Sequence, residues 1–177
     1  MTIDHEDIDI PGVGLAFTFA RHYRSSSRYV GALGFGWSSS FEQYLVRSAE
    51  RCTLSGASTR TVIDWYTGSG VAIRFRQSLA TGRWEPARGV THRLGRQGNQ
   101  WLLTAPDGVV TVFDDPTRLD PTNRALTVGL PREIRDRNGN RLVIHARIRG
   151  GLRPTSAPII VDSVEDTLGR VFTFDHD

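Results

Sequence analysis

Apolar and polar residues alternate with a period of two along much of the chain, and that pattern predicts strands rather than helices. In "GLAFTFARHY", Leu15, Phe17, Phe19, Arg21 and Tyr23 share one face, and Ala16, Thr18, Ala20 and His22 share the other. "VIDWYTGSGVAIRFR" reads as a hairpin, two β-rich runs joined through Thr67-Gly68-Ser69-Gly70. "WLLTAPDGVVTVFD" repeats the arrangement around Pro106-Asp107-Gly108. "EIRDRNGNRLVIHARIR" gives the clearest signal: Asn138-Gly139 predicts a type I′ turn, with positive φ at both central residues. Beyond it, Leu142, Ile144, Ala146 and Ile148 alternate with Arg141, Val143, His145, Arg147 and Arg149, so one face is apolar and the other basic. No window keeps a helical period between two caps. The expected fold class is all-β, mostly antiparallel hairpins and meander, with few short helices.

A repeat lies near the C-terminus. "IRDRNGNRLVI" (134–144) aligns with "VEDTLGRVFTF" (164–174), so that Asp136 matches Asp166, Gly139 matches Gly169, Leu142 matches Phe172 and Ile144 matches Phe174. Repeats spaced by about 20–50 residues mark arrays whose units bury their faces against neighbours. The second copy stops at "TFDHD", as an array cut off near its beginning would.

"GALGFGWSSSF" (31–41) crowds three glycines ahead of Trp37. A phosphate-cradling loop, a sugar-binding loop with Trp37 as platform, or a tight corner would each use such a stretch. A phosphate loop needs a helix N-terminus to receive the anion, whereas strand-like "SSSFEQYLV" follows here. Gly12-x-Gly14 lacks a third glycine and fails as well. The corner reading has Gly34 and Gly36 supplying positive φ or close backbone approach, with Trp37 buried.

Composition narrows the function classes. A chain of 177 residues is one domain, or one domain plus an extension. All 22 basic side chains are arginine and none is lysine, against 19 acidic residues, for a net charge of +3. The acids are interleaved with the arginines, and a nucleic-acid footprint calls for a clustered patch, so no nucleic-acid partner is expected. The single Cys52 excludes an internal disulfide framework and a cysteine-cluster metal site. No apolar run approaches the roughly 20 residues of a membrane span. The acidic start "MTIDHEDIDIPG" lacks the pattern of a signal peptide, so export would need a specialised route or a larger parent chain.

Candidate chemistry is sparse. Asp136, Asn138 and Asn140 resemble half of an EF-hand loop, but Arg141 and Arg147 stand where glycine and glutamate belong. His5, His22, His92, His145 and His176 are scattered without ligand spacing. Glu42, Glu50 and Glu85 are the carboxylates a glycosidase pair would draw on, and no Gly-x-Ser-x-Gly elbow occurs. No catalytic residue, cofactor or metal is assigned, and an enzyme is not expected. The basic face of Arg141, Arg147 and Arg149 is either a solvated face or, in a closed shell, a wall facing the lumen and an acidic cargo. A different class remains open: a free-standing secreted β-module that binds carbohydrate through Trp37, Trp65, Trp84 or Trp101.

The order "DIDIPGVGLAFTFARHYRSSS", "GALGFGWSSSF", "RDRNGNRLVI" and "DTLGRVFTFD" resembles the N-terminal region of the rearrangement-hotspot (RHS) or YD-repeat proteins. Pro11, Gly12, Gly14, Arg21, Tyr23, Gly34, Gly36 and Trp37 match that pattern in order, and Phe174-Asp175 stands where Tyr-Asp belongs. The resemblance implies a β-domain over 1–129 and first repeats over 130–177, with Asp136, Gly139, Asp166 and Gly169 as repeat-turn residues. It also implies a role: opening strands of a hollow β-shell that encloses a C-terminal toxin in interbacterial competition, through type VI secretion or a toxin complex. Partners would be the rest of the shell, its cargo, and a secretion spike or chaperone. The protein would be bacterial, cytoplasmic before export, and delivered as part of a larger chain. Most of the repeat array is absent, and Asp115-Pro116 and Asp120-Pro121 lack the surroundings of the self-cleavage motif found in many relatives.

Overall fold

A computed structural model describes residues 1–27, 30–51, 59–116, 127–148 and 159–176. These residues form strands, turns and loops, with no helix among them. A three-stranded sheet runs in the order β1 (Thr2–Ile10), β2 (Phe17–Arg24), β5 (Trp37–Ser39). A small hairpin, β3 (Val30–Gly31) with β4 (Gly34–Phe35), precedes β5. A five-stranded sheet has β6 (Tyr44–Arg51), β7 (Thr59–Tyr66), β8 (Ala72–Gln77) and β9 (Trp84–Pro86), with β13 (Thr127–Gly129) beside β6. The remaining strands are β10 (Arg93–Gln97), β11 (Gln100–Thr104), β12 (Val110–Asp114), β14 (Pro131–Arg135), β15 (Arg141–Ile148), β16 (Ile159–Glu165) and β17 (Val171–Thr173). They form a seven-stranded meander in that order, so residues on both sides of position 129/130 share one sheet. Among the described residues every pairing is antiparallel, and no sheet closes into a barrel.

The period-two pattern decides how the sheets stack. Cross-strand partners share a face, and the register Leu103↔Thr111↔Ile134↔Leu142 followed by Ile144↔Val164↔Phe172 sets one apolar face across the large sheet. Both smaller sheets cover that face. At its β10–β12 end, Trp101, Leu103 and Phe113 pack with Leu45, Ile63, Trp65 and Phe75 of the five-stranded sheet. At its β15–β17 end, Leu142, Ile144 and Val164 pack with Phe17 and Phe41, against which Phe172 and Phe174 also lie. Phe17 and Phe172 stack with ring centres 3.8 Å apart. The repeat alignment is thus a packing alignment, since its four apolar positions enter one core.

The last hairpin carries a correction. No non-glycine residue has positive φ among the described residues, so Asn138-Gly139 does not form a type I′ turn. The Asp136 N–H instead donates to the Asn140 carbonyl (3.0 Å), and Gly139 alone is left-handed, at φ 87°. This is a five-residue turn with glycine in fourth place. The same turn joins β7 to β8 (Thr67–Val71, Gly70), β11 to β12 (Ala105–Val109, Gly108) and β16 to β17 (Asp166–Arg170, Gly169). The extra residue lets a type I turn be used where a two-residue loop would demand positive φ twice.

Candidate functional site

The motif residues gather in two places. The first is a junction at one end of the large sheet, where the Ile10–Leu15 loop meets the turns of the two repeats. In each turn the leading aspartate caps the backbone: Asp136 accepts from the N–H groups of Asn138 (2.8 Å) and Asn140 (3.0 Å), and Asp166 from those of Leu168 and Arg170 (both 2.9 Å). The second carboxylate oxygen takes the Asn140 side-chain amide at 2.8 Å in one turn and the Arg170 guanidinium at 2.6 Å in the other. That guanidinium also donates to the Pro11 carbonyl at 2.7 Å. The Thr167 hydroxyl stitches the turns together, accepting from the Arg141 N–H (2.8 Å) and donating to its carbonyl (3.0 Å). Gly14, at φ 75°, lies against Asn140 and Asp136, where a methyl group would overlap both side chains. Gly12 is held against the Leu15 carbonyl in the same way.

Electrostatics follow from that bonding. The Asn140 amide and the turn N–H groups hold the Asp136 carboxyl below its ordinary value. For Asp166 burial pushes upward, but the N–H and guanidinium of Arg170 and the Leu168 N–H outweigh it, and the carboxyl also stays low. Both are acceptors at neutral pH, engaged by their own turn.

The second place is the glycine-rich corner. Gly34 (φ 100°) and Gly36 (φ 75°) both sit in the left-handed region, where a side chain is strained. Gly34 has open space around it, whereas Gly36 is pressed against the Tyr23 ring and the Arg24 carbonyl. The organiser is Glu42, only 3% exposed, whose carboxylate accepts from the backbone N–H groups of Ala32 and Ser39, both at 3.3 Å. Trp37 does not drop into a core. It is half-buried on the three-stranded sheet, 5.2 Å from the Tyr23 ring and 5.7 Å from the Arg21 guanidinium. Arg21 is held flat by a bidentate pair with Asp7, both contacts 2.6 Å. The cross-strand register sets Tyr23 opposite Trp37 and so brings the two rings together.

The basic face of β15 is broken up by carboxylates. Arg147 pairs with Asp162 at 3.0 Å, and Arg135, opposite Arg141 in the ladder, lies 3.6 Å from Glu133. Arg141 and His145 are exposed, and Arg149 lies outside the described residues, as do Cys52 and Asp120-Pro121. The outer face of the five-stranded sheet follows the same plan. Arg74 forks onto Asp64 and Arg76 onto Glu50, and the Arg76 hydrogen bond holds Glu50 low.

Glu42 and Glu50 therefore serve different places, one inside the corner and one in an arginine cluster. Trp65 and Trp101 belong to the core, with Trp84 packed edge-on against Trp101, so these three form no open stacking surface. No group of three or more His, Cys, Asp or Glu among the described residues could hold a metal. Likewise no helix there is long and apolar enough to cross a membrane. Sequence reasoning missed Arg170 and Thr167, and it weighed Asn140 only as part of an EF-hand loop and Glu42 only as a glycosidase carboxylate. The repeat alignment puts Asn140 and Arg170 at one position, just after the turn glycine, and that coincidence was the available signal. Nothing in the sequence flags Thr167, or Glu42 as the residue that organises the corner.

A family described as "Domain of unknown function (DUF6531)" matches residues 1–63, which carry β1, β2 and the glycine corner. No curated protein matches the chain. The fold is similar to part of the crystal structure of TcdB2-TccC3-Cdc42, at 14% identity and a TM-score of 0.50, covering 94% of this chain and 9% of that one. The N-terminal domain of effector protein SpvB from Salmonella typhimurium strain LT2 also matches, at 14% identity and a TM-score of 0.43, over 91% of this chain and 63% of that one. The chain is thus an all-β module whose fold recurs as about a tenth of a much longer polypeptide.

Proposed function

We propose that this chain is a non-enzymatic structural module, the opening part of an RHS-type β-shell that encloses a toxin. The observation that carries the reading is the fold correspondence over 94% of this chain with 9% of a far larger one. The junction supports it. The IPG loop and both repeat turns are bonded to one another, as parts of a scaffold would be, and each aspartate caps its own turn. The large sheet is a meander that grows by one hairpin per repeat, and β17 is its open edge. In the shell the β15 arginines Arg141 and Arg147 lie on the face away from the apolar core, toward the lumen or toward solvent. Delivery in a larger bacterial chain, by a secretion spike or as part of a toxin complex, follows from the motif resemblance.

The test is an immunoblot of the source bacterium with an antibody against this chain. The expected result is a band far larger than 19.7 kDa. A band at that mass overturns the shell reading. In the large parent, the C-terminal region should resist protease until the shell is opened.

A further inference from the structure

The step from the first repeat to the second is closed by a side chain. Where β15 meets β16 at this end of the sheet, Val143 lies opposite Glu165 and Ile144 opposite Val164. Carried on by two residues, that register sets Arg141 opposite Thr167, where the chain has already left the ladder for the 166–170 turn. The Thr167 side chain takes over from the backbone. Its hydroxyl accepts from the Arg141 N–H at 2.8 Å and donates to the Arg141 carbonyl at 3.0 Å. One hydroxyl thus does the work of the N–H and C=O of a ladder residue. In the preceding step Arg137, second in its own turn, lies along Gly108 instead. A guanidinium has no acceptor, so that step cannot be closed in the same way.

Val171 stands in the second repeat where Arg141 stands in the first, just past the turn. The Phe174 N–H donates to the Asp162 carbonyl at 2.9 Å, and in an antiparallel ladder the alternate residues turn their backbone groups the other way. Val171 and Thr173 therefore present N–H and C=O groups to the outer side of β17, where no strand pairs among the described residues. The edge repeats, at Val171, the backbone arrangement that Thr167 satisfies at Arg141.

We propose that the outer edge of β17 docks a β-hairpin of the same repeat type whose turn carries threonine or serine in second place, the hydroxyl bridging the N–H and C=O of Val171. Register sets the position: a strand added as β16 is added to β15 brings the second residue of its turn opposite Val171. Chemistry sets the residue type. The group must accept and donate at once from a short stem, which a hydroxyl does and an aliphatic side chain or an arginine does not. This inference rests on the reading that β17 continues into further strands, and it specifies what the next turn carries.

The probe is a blocked peptide copying residues 159–175, "IIVDSVEDTLGRVFTFD", added to the whole chain, with two further copies carrying Thr167→Ser and Thr167→Val. The readout is amide exchange residue by residue. The threonine and serine peptides are expected to slow exchange at both Val171 and Thr173. The valine peptide is expected to slow Thr173 alone and to bind more weakly by on the order of tenfold. Val171 protected equally by all three peptides overturns the hydroxyl bridge and leaves strand addition intact. Peptides that protect neither residue, or that bind a Thr173→Pro chain equally well, overturn docking at this edge and growth of the sheet from β17 with it. The existing bridge is checked in the chain itself, where Thr167→Val should speed exchange at Arg141 and Thr167→Ser should not. Arg141 exchange unchanged by both substitutions overturns the bridge at its source.

Discussion

Glycine is used in two different ways at the junction, and the difference is measurable. Gly139 has nothing near its missing side chain, so Gly139→Ala costs only the left-handed strain of about 1–2 kcal/mol. Gly14 has similar φ, but a methyl group there overlaps Asn140 and Asp136, adding an overpacking penalty of roughly 1–3 kcal/mol. Urea midpoints of the two variants should rank Gly14→Ala clearly below Gly139→Ala. Equal midpoints would mean that the IPG loop and the repeat turn are not locked together in solution. The corner offers the same contrast: Gly36→Ala meets the Tyr23 ring and the Arg24 carbonyl, while Gly34→Ala meets open space. Positive φ at Gly34, Gly36 and Gly139 was legible in the sequence because only turn chemistry decides it. The burial of Trp37 was not, because it depends on which sheet covers that face, and alternation within one strand says nothing about a distant layer.

At the scale of elements, the period-two pattern placed the hairpins β7–β8, β11–β12 and β14–β15 correctly, since side-chain alternation is local. The form of the turns was less visible. Asn-Gly suggests a two-residue loop, but an aspartate two residues earlier offers a better cap, and the five-residue turn satisfies the backbone without forcing Asn138 to positive φ. This capping has a pH signature. Asp136 and Asp166 have folded pKa values below the ordinary aspartate value, so their stabilisation is complete above about pH 4. It is lost as pH falls from there through the folded value. Denaturation midpoints should hold steady near neutrality and drop in acid, and an Asp136→Asn, Asp166→Asn double variant should flatten that acid limb. An acid limb of unchanged steepness in the double variant would assign the acid sensitivity to other carboxylates. The arginine ladders on the outer faces contribute differently. Arg147 with Asp162 is an exposed pair of small net worth and Arg141 is exposed, so Arg141→Glu with Arg147→Glu, which sets a carboxylate against Asp162, should lower the midpoint only slightly. In the large parent the same reversal should release cargo if these arginines face the lumen, and unchanged retention would make theirs a solvated face.

At the scale of the molecule, one large sheet carries two smaller ones on a single apolar face, and this arrangement leaves edges open. The 30-residue repeat hinted at it, because a unit that adds one hairpin at a time always exposes the last strand it has added. The last strand as an edge was legible in that way, but the order of the other strands was beyond the sequence, since it depends on non-local pairing such as β13 beside β6 and β12 beside β14. Natural sheets blunt their edges with charge, bulges or short strands. The edge strand β1 does so, with Asp4, Glu6, Asp7 and Asp9 along its length and a bulge between Glu6 and Ile8. The edge strand β17 is short, only Val171–Thr173, but it carries neither charge nor bulge: Val171 is 57% exposed, and Leu168 beside it is 60% exposed. Self-association should therefore run through β17. Thr173→Pro removes an N–H that points away from β16, so the variant should fold with nearly the parent midpoint, because proline is tolerated at an edge of this kind. Sedimentation of the unmodified chain should show mass rising with concentration, and the proline variant should stay monomeric across the same range. If the variant associates as strongly as the parent chain, the contact lies elsewhere, and growth of the sheet from β17 loses its physical basis.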